Sequence, residues 1–466
     1  MAELESYTER ETRPQRELIE IDDELMQDIE ELVRTRSNFL LLNILQDLYP
    51  ADIAHILNRL EGDDLEFVFS LLSTETASEV LPELSDESRS FVLQHIAPAD
   101  LAKMLDGMAS DDAADIIGEM TDEAAEQILG TMDVRDSSHV EELLRYDEST
   151  AGGIMAKEVA VVDDRATLKN AIRVVRKFAR DHRNIYNVYV VDENHLLVGT
   201  VALQDLLLYA PNKRIKSIMH DDVISVTTDV DQEEVAKIFQ KYDIVSLPVT
   251  DTAGKLLGRI TVDDIVDVLE EEHEEDVARM VGSDADELER RSPAQVAMLR
   301  LPWVLITLVV EMGAVFMVSR FDKTLSQVIL LAAFMPIISA LSGNTGLQSA
   351  AIIVRGLATG HVQLSRWWHP VIRQMQTTFI IGTICGTLLG IVGALWEGNP
   401  VFGFVVGFSM LISINISGLI GTVSPMVSKR LGFDPAITAG PFETAFQDVV
   451  GITIFLSIAT ALLRWL

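Results

Sequence analysis

The spacing of apolar residues predicts a row of short helices in the first part of the chain. Between residues 49 and 132, segments with apolar residues at i, i+3 and i+4 repeat about every twelve residues. Each segment begins with a capping residue or a proline followed by an acidic residue, the pattern of a helix N-terminus. A solenoid of short stacked helices is therefore predicted. The seven segments begin at Pro50, Gly62, Thr74, Ser85, Pro98, Ser110 and Thr121.

An internal duplication follows this row of helices. Residues 159–178 align with 223–242, and residues 190–192 match 249–251 after a small change of offset. Each copy alternates in the order strand, helix, strand, strand, helix. The pattern resembles a tandem pair of CBS domains, which are small α/β modules that pair with each other.

Five long apolar stretches occupy the last third of the chain. A helix that crosses the hydrocarbon core of a bilayer needs about 20 apolar residues, and each stretch approaches or exceeds this length. Five transmembrane helices are therefore predicted; the alternative is five buried helices in a large soluble core. The stretches cover approximately residues 302–319, 325–354, 374–396, 401–427 and 436–463.

Charge is distributed unevenly between these parts. The 466 residues carry a net charge of −35, yet their mean hydropathy is +0.22. Residues 301–466 hold eight of the 37 basic and six of the 72 acidic residues, so the first 300 residues hold 29 basic and 66 acidic ones. Such an acidic part excludes a nucleic-acid partner, which needs a positive field. A single cysteine, Cys385, excludes a disulfide-rich secreted class, and the charged start lacks the apolar core of a signal peptide.

The basic residues predict the orientation of the five spans. If the N-terminal part is cytoplasmic, six basic residues flank the inner ends of the spans and three flank the outer ends, in agreement with the positive-inside rule. The C-terminus then lies on the opposite side of the membrane.

Acidic residues form a dense run after the second α/β unit. Glu272, Glu275 and Asp276 are i, i+3 and i+4 neighbours, so a helix brings three carboxylates to one face. Oxygen ligands without a His or Cys cluster suit Mg2+ or Ca2+ rather than Zn2+. Asp111 and Asp115 make a second i, i+4 pair. For any such run, a solvated helix face is the alternative. The run contains Asp263, Asp264, Asp267, Glu270, Glu271, Glu272, Glu274, Glu275 and Asp276.

One carboxylate falls inside the last span. Asp448 lies midway along it, where an ionised group is costly unless it faces a wet pathway or a partner. Pro441 opens this helix and frees backbone carbonyls, as is common along ion routes. Gly343, Asn344 and Gln348 provide polar oxygens and close approach in the second span; the alternative for them is a helix-packing patch.

Thr261 and Asp264 resemble the Thr-x-x-Asp motif that binds the ribose of adenosine in some CBS pairs. The first copy has Ala202 in place of the threonine. One interpretation is that this motif binds an adenine nucleotide. The other is that Asp264 caps its helix.

The order of domains, together with the Gly343-Asn344-x-Gly346-x-Gln348 and Gly440-Pro441…Asp448 segments, resembles the MgtE-type Mg2+ channels and transporters. The resemblance implies a homodimer with a pore lined by spans two and five, in which Asp448 holds a largely hydrated Mg2+. It implies regulatory acids at Glu272, Glu275 and Asp276 on a so-called plug helix. It further implies an interface between the N-terminal domain and the CBS pair at Asp111, Asp115 and one of Asp263 or Asp264, and ATP at the CBS pair as in some members. It assigns no role to Glu311 or Glu443.

The expected protein is thus a multi-domain membrane protein of the cell (inner or plasma) membrane and not an enzyme. We expect it to take up Mg2+ and to be closed by cytosolic Mg2+ bound to its acidic domains. The alternatives are transport of another divalent ion, such as Co2+ or Mn2+, and a non-conducting sensor of ions or nucleotides. The expected parts are a loose charged leader (1–36), a helical-repeat domain (37–148), a CBS pair (149–268), an acidic connecting helix (269–298) and a five-helix transmembrane domain (299–466).

Overall fold

The computed structural model describes residues 21–181, 185–280, 283 and 292–466, without the side chains of Asp181, Pro441 and Phe442. Its chain forms two units, one that ends at Leu269 and one that begins at Glu270. The first unit contains the short helices and the α/β pair, and the second contains the apolar helices.

Short helices form the first half of the first unit. Five of the seven predicted starts are the first residue of a helix, and the other two, Ser85 and Thr121, are N-cap residues. The predicted solenoid class is confirmed. In chain order the helices are α1 (Asp23–Arg34), α2 (Asn38–Asp47), α3 (Pro50–Leu57), α4 (Gly62–Ser70), α5 (Thr74–Val80), α6 (Asp86–His95), α7 (Pro98–Leu105), α8 (Ser110–Gly118), α9 (Asp122–Leu129) and α10 (Val134–Leu143).

Helix α1 differs from the predicted loose leader over 1–36. Met26, Ile29 and Val33 recur at helical spacing among charged residues and are buried in the core of the first unit. Because each is surrounded by acids and arginines in sequence, the apolar stripe is narrow and its period is easily overlooked. Residues 1–20 lie outside the described part of the chain.

Two three-stranded sheets follow, one in each copy of the duplicated sequence. In both sheets the first strand runs parallel to the second, and the second is antiparallel to the third. The Tyr189 hydroxyl and Ser246 Oγ, 2.7 Å apart, link the two sheets in the buried interior. The elements are β1 (Val161–Asp163), α11 (Leu168–Asp181), β2 (Asn187–Val191), β3 (Leu197–Ala202), α12 (Asp205–Leu208), β4 (Val226–Thr227), α13 (Gln232–Tyr242), β5 (Ser246–Thr250), β6 (Leu256–Thr261) and α14 (Val262–Met280), with a 3-10 turn at Ile215–Ser217.

Five helices of the second unit are long and apolar enough to cross a membrane. Their many exposed large apolar side chains are suited to contact with lipid tails. The elements are α15 (Pro293–Arg320), α16 (Asp322–Gln327), α17 (Leu331–Ala358), α18 (Trp368–Glu397), α19 (Pro400–Leu431), α20 (Pro435–Thr438) and α21 (Pro441–Ala461), with a 3-10 turn at Leu364–Arg366. Helices α15, α17, α18, α19 and α21 are spans one to five.

Glycines bring spans three and four into backbone contact. A β-carbon at Gly386 would overlap the carbonyl oxygen of Gly407, and one at Gly390 would lie 2.8 Å from the carbonyl oxygen of Gly403. These small residues therefore allow the two spans to pack closely within the bundle of one chain.

Candidate metal-ion sites

Asp448 is held by the second span. Ser339 on α17 donates a hydrogen bond from its hydroxyl to Asp448 Oδ1 over 2.6 Å. The aspartate is half-buried, and Ser339 is buried. A neutral donor fixes the direction of the carboxyl group without cancelling its charge, so Asp448 keeps its capacity to bind a cation.

Glu311 on the first span is the second carboxyl group at this position. Its carboxyl group lies beside that of Asp448, within range of repulsion or of a hydrogen bond through a shared proton. Because two ionised carboxylates repel each other, such a pair requires a proton or a cation between its oxygens. The sequence pattern assigns no role to Glu311. An acid within an apolar span is itself a signal, but the partner of Glu311 lies far away in sequence.

The predicted polar positions of span two separate into two sets. Gly343 is buried, and a β-carbon there would lie 3.2 Å from Thr444 and 3.8 Å from Asp448 Oδ1. Asn344 and Gln348 are instead exposed, four residues apart on one outer stripe of the helix. Pro441 is the first residue of α21, and its side chain lies outside the described residues.

The connecting helix separates its acids into a half-buried set and an exposed set. Glu272, Glu275 and Asp276 are half-buried in the last part of α14, whereas Glu274 is exposed. Helix α14 ends at Met280, whose carbonyl oxygen approaches Gly440, just before span five begins. The end of this acidic helix therefore contacts the segment that leads into the span carrying Asp448.

Arg279 ties this helix to the loop before span five. It forms an ion pair with Glu275 on its own helix and another with Asp434, where Arg279 Nη1 and Asp434 Oδ2 are 2.6 Å apart. Sequence analysis did not single out Asp434, because its link to Arg279 spans 155 positions and leaves no local pattern. One guanidinium thus pairs with two carboxylates at this junction and offsets part of their charge.

A second acidic cluster lies within the first unit, where α8 faces the start of α14. Asp111 and Asp112 on α8 are close enough to Asp264 for mutual repulsion, and Asp115 and Asp263 add to the charge around Asp112. Glu83 lies near Asp267. The structure therefore brings together the acids that the resemblance placed at an interface, and it adds Asp112 and Glu83 to them.

Burial and repulsion raise the pKa values in this cluster. Burial, followed by repulsion from Asp264, raises the pKa of Asp111 well above its usual range and that of Asp112 to about 7. The pKa of Asp264 rises to about 6, mainly through burial and against hydrogen bonds from Thr261 that lower it. Folding therefore places negative charge where it is unfavourable near neutral pH, and a cation would relieve this.

Thr261 and Asp264 are bonded to each other. The backbone N–H and the hydroxyl of Thr261 both donate to Asp264 Oδ2 at 2.9 Å. This is the helix-capping arrangement that the sequence offered as the alternative to ribose binding.

The described residues contain no group of three or more His, Cys, Asp or Glu side chains arranged to hold a metal ion. Mg2+ retains several water molecules and commonly takes one or two carboxylates from a protein. Pairs such as Asp112 with Asp264, or Asp448 with Glu311, therefore suit it better than a site built entirely from protein ligands.

Three family models match the chain. The model described as a divalent cation transporter matches residues 335–458, the MgtE intracellular N domain matches 48–149, and the CBS domain matches 151–212 and 215–271. The chain is 35% identical to the magnesium transporter MgtE of Thermus thermophilus, over 95% of this chain and 100% of the relative. The chain belongs to the MgtE family of magnesium transporters. It is therefore a multi-pass membrane protein whose N-terminal domain is cytoplasmic.

Other comparisons agree with this membership. The MgtE protein of Enterococcus faecalis is 36% identical over 71% of this chain and 73% of its own length. The crystal structure of the cytosolic domain of the Mg2+ channel MgtE in complex with ATP shares 35% identity and a TM-score of 0.50, and covers 52% of this chain and 99% of that structure. The family and the fold class expected from the sequence are both confirmed.

We expect Asp112→Asn to stabilise the first unit when Mg2+ is absent. The folded pKa of about 7 exceeds the ordinary value of 3.8, so the wild type loses stability as pH rises through this window and remains penalised above it. The amide removes that penalty, and we expect a gain on the order of 1–2 kcal/mol at about pH 8. Denaturant unfolding in EDTA measures the difference.

Asp122→Asn is the matched control, because Asp122 is an exposed acid at the start of the next helix. Equal stabilities of the Asp112 variant and wild type at about pH 8 would show that repulsion at this cluster is negligible.

Proposed function

We propose that this chain conducts Mg2+ into the cell and closes when cytosolic Mg2+ is abundant. The observation that carries this proposal is the half-buried Asp448 carboxyl group, aimed by Ser339 and paired with Glu311 between apolar helices. An acid in such a position normally faces a wet pathway. Membership of a magnesium transporter family supports Mg2+ as the substrate.

The chemistry of the pair suits a hydrated divalent ion. Mg2+ gives up water reluctantly, so a pore ligand is expected to bind its water molecules or replace only one or two of them. Asp448 supplies one negative charge and Glu311 supplies a second. A passing ion would lie between the two carboxylates and reduce their repulsion. Membrane potential provides the driving force, about 2.3 kcal/mol per charge per 100 mV.

The pore is proposed to lie between two copies of the chain. Asn344 and Gln348 are exposed on span two, although amides are costly in lipid. Span one has only Ala314 buried among its described residues. A second copy would cover such faces and enclose a pore lined by Gly343, Asn344, Gln348, Pro441 and Asp448.

Closure is proposed to depend on Mg2+ at the acidic clusters. Asp111, Asp115, Asp263, Asp264 and Asp267 would bind ions in the first unit. Glu272, Glu275 and Asp276 would do so on the connecting helix. When Mg2+ is scarce the carboxylates repel and the cytoplasmic domains separate; when it is abundant, bridging ions hold the connecting helix in the closed position.

ATP is proposed as a ligand of the CBS pair, because a related cytosolic domain was crystallised with it. Thr261 and Asp264 would exchange their mutual hydrogen bonds for bonds to the ribose. The C-terminus is proposed to lie outside the cytoplasm, as five spans and the distribution of basic residues favour, in the cell (inner or plasma) membrane.

Transport of other divalent ions is a second candidate, favoured by the description of the matching membrane-domain family as divalent cation transporters. Competition by Co2+ and Mn2+ in Mg2+ flux measurements distinguishes this candidate from a channel selective for Mg2+. Absence of any flux from purified protein in vesicles would favour a membrane-anchored sensor.

We expect Asp448→Asn to lower Mg2+ flux into proteoliposomes at least about tenfold, since a loss of ~1.4 kcal/mol of ion stabilisation corresponds to that factor. The amide keeps the size of the side chain and can still accept the Ser339 hydrogen bond, so only the charge is lost.

Asp322→Asn is the control for this variant, because Asp322 is an exposed acid just after span one. Flux at the wild-type rate from correctly folded Asp448→Asn protein would rule out Asp448 as the pore ligand.

We expect the combined change Glu272→Gln, Glu275→Gln and Asp276→Asn to weaken inhibition by Mg2+ on the cytoplasmic side and to spare conduction. The amides remove the charge that a bridging ion needs. Flux at a series of cytoplasmic Mg2+ concentrations provides the inhibition curve.

The control replaces Glu270, Glu271 and Glu274 by Gln, which removes the same charge from the exposed side of the helix. If both triple variants shift the inhibition curve equally, general charge rather than these particular acids regulates the channel.

A further inference from the structure

Span five carries a second acid that the proposed pore does not use. Glu443 and Gln447 lie one turn apart on α21 and are almost fully buried, with 3% and 1% exposure. Gln447 Nε2 donates to Glu443 Oε1 over 2.9 Å. Glu443 Oε2 and Gln447 Oε1 are shielded from solvent and have no hydrogen-bond partner among the residues that the structure describes. The pair therefore has two buried acceptors that lack a donor.

Glycines on two other spans make room for this pair. A β-carbon at Gly346 on span two would overlap the Gln447 amide. One at Gly421 on span four would lie 2.8 Å from Glu443 Oε1 and would overlap the carbonyl oxygen of Gly346. Three spans thus meet around the pair at backbone contact, so its charge state affects how span five packs against spans two and four.

No cationic side chain compensates Glu443 among the described residues. The ionisable groups on spans one, two and four and elsewhere on span five are Glu311 and Asp448, which pair with each other, and five exposed cations: Arg300, Arg320, Arg355, Lys429 and Arg430. None of them is bonded to the Glu443 carboxyl group, whose one recorded partner is Gln447. An ionised Glu443 would therefore be a buried charge without a counter-charge, which is strongly unfavourable.

A proton satisfies this cluster and a hydrated metal ion does not. Protonation cancels the charge and converts one of the two unpaired acceptors into a donor. Mg2+ would need several water molecules, whereas Glu443 Oε2 and Gln447 Oε1 are both shielded from solvent. A small cavity of about 160 Å³ is lined by Ile420, Ser424, Glu443 and Phe446 and so adjoins the Glu443 side chain.

We propose that Glu443 and Gln447 form a proton-binding site in which Glu443 is a neutral acid at neutral pH and holds span five against spans two and four. On deprotonation the proton leaves to water through the cavity, and the buried anion loosens this packing. Since span five also carries Asp448, conduction becomes sensitive to pH; this last step rests on the proposed function.

Infrared difference spectroscopy of the full-length protein tests proton binding independently of any flux. At neutral pH we expect Glu443→Gln to remove one component of the carboxylic-acid C=O stretching band and Glu397→Gln, at an exposed helix end, to leave that band unchanged. The component should persist when millimolar Mg2+ is added. A band unaffected by Glu443→Gln, or a component that Mg2+ abolishes, would overturn the proposal, the latter in favour of a metal site.

Flux measurements test the consequence for transport. Across about pH 6 to about pH 9, the range in which a buried glutamic acid can titrate, we expect Mg2+ flux through Glu443→Gln to vary at least about twofold less than through wild type or Glu397→Gln. A pH profile of Glu443→Gln that matches wild type would overturn the link to conduction. Loss of the infrared component with no flux in any variant would instead contradict the proposed function alone.

Discussion

Repulsion between neighbouring carboxylates is the constraint on which the first unit depends. Acidic residues outnumber basic ones 66 to 29 in the first 300 residues. Folding concentrates part of this excess where α8 meets α14, at Asp111, Asp112 and Asp264. Burial there raises pKa values towards neutrality, so the ionised cluster is unfavourable at the pH of the cytoplasm. A cluster of this kind responds to any cation that can reach it.

The membrane unit meets the same difficulty with three different arrangements. Asp448 has a neutral donor, Ser339, and an acidic neighbour, Glu311, so it retains its demand for a cation. Asp434 and Glu275 share one guanidinium, that of Arg279. Among the described residues, the partner of Glu443 is the amide of Gln447. These arrangements distinguish a carboxylate prepared for an ion, two carboxylates whose charge one arginine partly offsets, and one that is neutral when it holds a proton.

Local patterns in the sequence were sufficient to predict most of the fold. Capping residues marked the helix starts of the solenoid, the duplication marked the two α/β units, and hydropathy marked the five spans. Met26, Ile29 and Val33 of α1 were missed, because dense charge hides a narrow apolar stripe. Asp448 could be predicted because an acid inside an apolar span is unusual. A local pattern, acids at helical spacing, indicated three more candidates: Glu272, Glu275 and Asp276.

Residues whose role depends on a distant partner could not be predicted. Asp434 is an ordinary loop acid until the fold brings Arg279 to it. Glu311 and Glu443 stood out as acids in apolar spans, but nothing nearby in sequence indicates that one meets Asp448 and the other is enclosed by Gly346 and Gly421. Asp112 gains its high pKa only through contact between two domains.

The central claim is that Mg2+ acts on the acidic domains by bridging particular carboxylates. Small-angle scattering from a fragment of residues 1–291 tests it most directly, by measuring the radius of gyration against MgCl2 and against NaCl of equal ionic strength. Monovalent salt only screens charge, with a Debye length of about 8 Å at 0.15 M. We expect millimolar Mg2+ to reduce the radius of gyration of the fragment in a saturable way that NaCl does not reproduce. Equal compaction by both salts would contradict it.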